Sequence, residues 1–80
     1  MTDTEILQTL TRILRDLIGD DGIVLGPRTV RGDVPGWDSF AYINFIVAVE
    51  LEFGVKVGIA DVESFADVGE IVAKIRALRG

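Results

Sequence analysis

Apolar residues return at helical spacing in three segments of this chain, and the three do not behave alike. In the first, Ile6, Leu7, Leu10, Ile13, Leu14, Leu17 and Ile18 form one stripe. Thr2-Asp3-Thr4-Glu5 matches a capping box ahead of it and Gly19 ends it, so the pattern predicts a one-sided helix between them. In the last, Val68, Ile71, Val72, Ile75 and Leu78 make the buried stripe of a closing helix. That helix is opened by Asp67-Val68-Gly69-Glu70 and carries Arg76 and Arg79 in its final turn, where cations suit the helix dipole. The middle segment, Ser39 to Phe53 with Gly54 as its stop, has two stripes. On a wheel of about 100° per residue, Tyr42, Phe45, Ile46, Val49 and Phe53 share one face. Phe40, Ile43, Val47 and Leu51 lie opposite, with Asn44, Glu50 and Glu52 near the borders. One stripe can pack on the other helices; the second must be covered by a loop, by a short third helix or by another protein.

Between these helices the punctuation changes. Gly19 to Trp37 has no sustained period and is broken by Gly22, Gly26, Pro27, Gly32, Pro35 and Gly36, which predicts one long loop. Ile23, Val24, Leu25, Val30 and Val34 are the residues expected to pin it to the core. Val55, Val57 and Ile59 alternate with Lys56 and Gly58 and read as an extended connector, because no partner strand is evident. Asp61 to Phe65 has room for one short helical turn. The expected fold is all-α: a small four-helix bundle of three main helices and one short one, with a long first loop, forming a single domain over residues 1–80.

The start of the middle helix holds the candidate chemistry. Asp38 is a good N-cap, since its carboxylate can accept from the free N–H groups of the first turn, while Pro35 and Gly36 keep the preceding chain out of helix. Trp37 then falls at N′ and Tyr42 at N4, the spacing of a hydrophobic staple. Ser39 becomes the first helical residue, facing solvent near the positive end of the dipole, where an attached anion would be stabilised. A nucleophilic serine needs a base, and the chain has no His; its two lysines, Lys56 and Lys74, lie far along the chain at positions that read as exposed. With no Cys, thiol catalysis, disulfides and Cys-type zinc sites are absent as well. These residues predict a chain that is not an enzyme and a serine to which something is attached.

Composition narrows the setting. Eighty residues allow one core, and a chain this short buries only about 60 to 65% of its unfolded surface, so its packing must be efficient. With 49% hydrophobic and 26% charged residues it is too apolar to be disordered. No apolar run approaches the ~18 residues of a membrane span, and the N-terminus lacks a basic region followed by an apolar one, so a soluble, cytoplasmic protein is expected. A net charge of -5 disfavours nucleic acid and anionic lipid as partners.

With these residues in view, the chain resembles acyl carrier proteins and the related peptidyl carrier domains. The resemblance rests on Gly36-Trp37-Asp38-Ser39-Phe40, on the helix ending Glu50-Leu51-Glu52-Phe53-Gly54-Val55, on the closing Val68-Gly69-Glu70-Ile71 helix and on overall length. In that family Asp-Ser-Leu marks the serine that receives 4'-phosphopantetheine; here Asp38-Ser39-Phe40 stands in that position with Phe replacing Leu. The resemblance implies a phosphodiester on Ser39, a terminal thiol holding an acyl group as a thioester, and Asp38 used by the modifying phosphopantetheinyl transferase. It also implies a loading ligase and downstream transferases or synthases as partners of a monomeric carrier in a biosynthetic pathway. Aminoacyl or peptidyl cargo is the alternative, and an unmodified helical adaptor is a second. Fatty-acid carriers usually show acidic residues early in this helix, where this chain has Ala41 and Asn44, which favours a dedicated pathway and puts recognition on Phe40, Ile43, Val47 and Leu51. The rings of Tyr42, Phe45, Phe53 and Phe65 are expected to fill the interior, favouring short or polar acyl groups.

Overall fold

A computed structural model describes residues 1–79. Helix α1 runs Asp3–Ile18 and is opened by the expected capping box. The Thr2 hydroxyl accepts from the Glu5 N–H at 3.2 Å, and the Glu5 carboxylate accepts from the Thr2 N–H at 2.8 Å. That backbone donor, with the Thr2 hydroxyl, holds the Glu5 carboxyl below its ordinary range. Ile6, Leu10, Ile13 and Leu14 form the buried side of α1, which packs against the second and last helices.

The long loop is tied down along its length. Arg15 donates from Nε to the Ile23 carbonyl at 2.6 Å, and the Leu25 N–H donates to the Thr11 hydroxyl at 3.3 Å. Of the five residues expected to pin it, Ile23, Leu25 and Val34 are buried, whereas Val24 and Val30 are exposed. The correction at Val24 has a simple cause: in extended chain, neighbours point to opposite sides, so burying Ile23 and Leu25 turns Val24 outward. Within the loop, Arg31–Asp33 forms a single 3₁₀ turn, with the Asp33 carboxylate accepting from the Val30 N–H at 3.1 Å.

Helix α2 occupies Ser39–Phe53, as its boundaries predicted. Gly54 stops it at φ 66°, a left-handed conformation that only a residue without Cβ adopts freely. The following connector is anchored where the Glu50 carboxylate accepts from the Val57 N–H at 2.7 Å. Helix α3 is Ile59–Ser64, so it is longer than one turn and begins two residues before Asp61. The Val62 N–H donates to the Gly58 carbonyl at 3.0 Å, which draws Ile59 out of the extended stretch; Val62 is buried and Ile59 is left outside.

Helix α4 covers Val68–Arg79 and buries Val68, Ile71, Val72 and Ile75. Asp67 accepts from the Glu70 N–H at 3.1 Å, while Glu70 reaches back to the Ala66 N–H at 3.0 Å. The first N–H groups of α4 are taken by the long loop: Val68 donates to Thr29 O at 2.9 Å and Gly69 to Pro27 O at 2.8 Å. A Cβ on Gly69 would stand 2.7 Å from that same Pro27 oxygen, so this close approach requires glycine. Leu78 has the spacing of the buried stripe but is 41% exposed, because no described element covers the final turn. Lys74 is half-buried and paired with Asp61 at 3.0 Å, so the expected exposed lysine instead fastens α3 to α4. Among the described residues no helix is long and apolar enough to cross a membrane.

Candidate functional site

The geometry around Ser39 begins one residue earlier. Asp38 is extended (φ -82°, ψ -175°) and its carboxylate accepts from the Ala41 N–H at 2.9 Å, the capping bond its position predicted. Its own carbonyl accepts from Tyr42 at 2.8 Å, the first bond of the helix. The N–H groups of Ser39 and Phe40 have no acceptor among the described residues, and both residues are exposed. One exposed hydroxyl therefore stands beside two free donors at the positive end of a 15-residue helix.

Beneath it the staple forms as the spacing predicted. Trp37 is buried, its ring edge-on to Tyr42 at 6.1 Å and to Phe45 at 5.2 Å between centroids. The Trp37 indole N–H is buried without a partner among the described residues, an orphaned donor next to the site. Tyr42 donates its hydroxyl to the Val62 carbonyl at 2.7 Å, bridging α2 to α3. Burial raises the Tyr42 phenol above its ordinary pKa, and the Arg31 guanidinium, 4.8 Å from the ring centroid, acts in the opposite direction.

Ser39 lies on the edge of a cleft of about 640 Å³ between α2, α3 and the 3₁₀ turn. Arg31, Trp37, Tyr42, Val62 and Phe65 are among its walls. The expected interior rings divide: Phe45 and Phe53 are in the core, whereas Tyr42 and Phe65 are half-buried and face this cleft. The residues present suit a phosphate-linked arm, with an exposed hydroxyl to bear it, two N–H donors for its anion and adjoining room for the arm.

The second stripe of α2 is open. Phe40 is 79% exposed, Ile43 54%, Val47 48% and Leu51 80%, against 0% for Phe45 and Val49 on the opposite side. Ile59 at the head of α3 is exposed as well. The sequence pattern did not single out Arg31 or Val62 as parts of the site. Both lie in segments without a helical period long enough to orient them, and only the chain path brings them to Tyr42.

No family model matches the chain. It is 33% identical over 76 residues to an acyl carrier protein of Thermotoga maritima, an alignment covering 95% of this chain and 94% of that one. The solution NMR structure of a holo acyl carrier protein from Geobacter metallireducens superposes with a TM-score of 0.84 at 30% identity, covering 91% of this chain and 84% of that one.

Proposed function

Since the chain belongs to the acyl carrier protein family, whose members carry acyl groups and do not catalyse, we propose that Ser39 is the residue to which its 4'-phosphopantetheine is attached. The observation that carries this reading is the exposed Ser39 hydroxyl at the head of α2, beside the unpartnered N–H groups of Ser39 and Phe40. A transferase would join Ser39 Oγ to the phosphopantetheinyl phosphorus of coenzyme A, with the nucleotide half leaving and the hydroxyl proton passing to a base on the transferase. The chain itself offers no histidine for that step. Its own part is to hold Ser39 outward, to keep the helix start in place through Asp38, and to offer N–H donors to the phosphodiester. When bound, the arm supplies a thiol that holds an acyl group as a thioester.

The open stripe of Phe40, Ile43, Val47 and Leu51 is the surface we assign to the modifying transferase, the loading ligase and the synthases that use the cargo. It carries no charge, so docking there would depend little on ionic strength. We expect short or polar acyl groups as cargo, because Phe45 and Phe53 fill the core and the room adjoining Ser39 is the cleft lined by Tyr42 and Phe65.

The deciding experiment is incubation with coenzyme A and a broad-specificity phosphopantetheinyl transferase, read by intact mass. The wild-type chain should gain one phosphopantetheine and Ser39→Ala none. No gain by the wild type, or an equal gain by Ser39→Ala, rejects the assignment.

A further inference from the structure

We propose that Arg31 is the counter-ion of the phosphodiester on Ser39, holding the base of the arm on the Tyr42 side of α2; this rests on the assignment of Ser39 made above. Tyr42 follows Ser39 by three residues, so the two lie on one side of the helix, about 4.5 Å apart along its axis. The Arg31 guanidinium sits over the Tyr42 ring at 4.8 Å, and Arg31 is the only Lys or Arg among the residues lining the cleft on which Ser39 opens.

Among the described residues its donors meet no hydrogen-bond or ion-pair partner, unlike those of most other cations in the chain. Arg12 pairs with Glu52 and Asp16, Lys74 with Asp61 and Arg76 with Asp3, while Arg15 and Arg79 donate to the carbonyls of Ile23 and Phe53. Arg31 has no carboxylate within 4.0 Å among the described residues, although Asp33 is two residues away and Glu63 and Asp67 line the same cleft. Asp33 and Asp67 are each turned to a backbone N–H, of Val30 and of Glu70. The cation–π contact with Tyr42 holds the guanidinium over the ring, and none of its donors is used by a partner among the described residues, which leaves them available to a phosphate.

The need for such a cation follows from charge. Attachment adds an anion next to Asp38 in a chain whose net charge is already -5. Drawn towards Arg31, that anion carries the arm over the cleft and leaves Phe40 and Leu51 uncovered for docking.

The test is a thermal-stability cycle on the apo and holo forms of wild type, Arg31→Gln and Arg31→Lys at low salt and at about 0.5 M salt. Any loss of the cation–π contact with Tyr42 is common to apo and holo forms and cancels in the holo-minus-apo difference. The wild-type difference should exceed that of Arg31→Gln by about 2–4 °C at low salt, with Arg31→Lys in between and the gap closing at high salt. The phosphorus-31 resonance of holo wild type should also differ from that of holo Arg31→Gln. Equal differences for wild type and Arg31→Gln overturn the proposal while leaving Ser39 as the attachment site. Holo forms loaded with acyl groups of equal length, one neutral and one ending in a carboxylate, complete the test. Dependence on Arg31 confined to the carboxylated cargo puts the anion on the cargo and also overturns it. A wild-type chain that accepts no phosphopantetheine overturns both readings.

Discussion

Helices α1 and α2 have nearly equal lengths and pack against each other, yet they use their apolar residues differently. In α1 one side is buried through Ile6, Leu10, Ile13 and Leu14, and the outer side is mostly polar; folding accounts for nearly all its apolar surface. In α2 the inner side is just as buried, but Phe40, Ile43, Val47 and Leu51 remain open to solvent. Exposed side chains of that size contribute little to the stability of the monomer and invite association. The difference teaches that α2 carries hydrophobicity beyond what the core uses, directly behind Ser39, which is why we propose this stripe as the surface where the carrier meets other proteins.

That contrast can be broken most forcefully at Phe45, which is fully buried against Trp37. Phe45→Ala should lower unfolding free energy by about 3–5 kcal/mol in urea denaturation. A loss of similar size from Val47→Ala on the other side would show that both faces of α2 are core. In α1 the matched pair is Leu14, 0% exposed, and Leu17, 39% exposed. Leu14→Ala should cost about 2–5 kcal/mol and Leu17→Ala under about 1 kcal/mol, giving α1 one sensitive side only.

Tyr42 lies between the two faces of α2, and its removal sharpens their boundary. Tyr42→Phe deletes the bond to Val62 and should cost about 0.5–1.5 kcal/mol. It should also alter the alkaline limb of the stability curve. Burial raises the folded-state pKa of the phenol, so its contribution is whole below the unfolded value of about 10 and is lost as pH rises through the raised folded value. A tyrosinate also has no proton to donate to Val62. Denaturation midpoints followed from pH 8 to 11 should therefore fall more steeply for wild type than for Tyr42→Phe. The smallest effect on stability is expected from Val47→Glu, within about 0.5 kcal/mol, alongside a clear loss of productive turnover by a partner enzyme. Loss of helicity by circular dichroism in that variant would assign the stripe to the core.

Much of this architecture was legible along the chain because its signals are local. The capping box at Thr2 and Glu5, the stop at Gly54 and the stretch from Asp38 to Phe53 depend on bonds between residues no more than a few positions apart. The two faces of α2 follow from helical geometry alone once its start is known. Where the pattern misled, a distant contact decided the outcome. Leu78 had the right spacing but no described element to cover it, and Lys74 found Asp61 across the bundle. The alternation through Ile59 suggested extended chain until Gly58 and Val62 closed a helical turn.

The site divides along the same line. The sequence by itself determined a capped, outward serine on a helix with two apolar sides, since propensity, capping and periodicity act within a few residues. The resemblance already put recognition on the side of Phe40, Ile43, Val47 and Leu51; how far each of them stays open was for the tertiary structure to decide, because burial depends on what the rest of the bundle covers. It also decided that the long loop, fastened to α4 through Pro27 and Thr29, sets Arg31 on the ring of Tyr42 beside Ser39. Those are contacts between segments far apart in the chain, and no local periodicity encodes them.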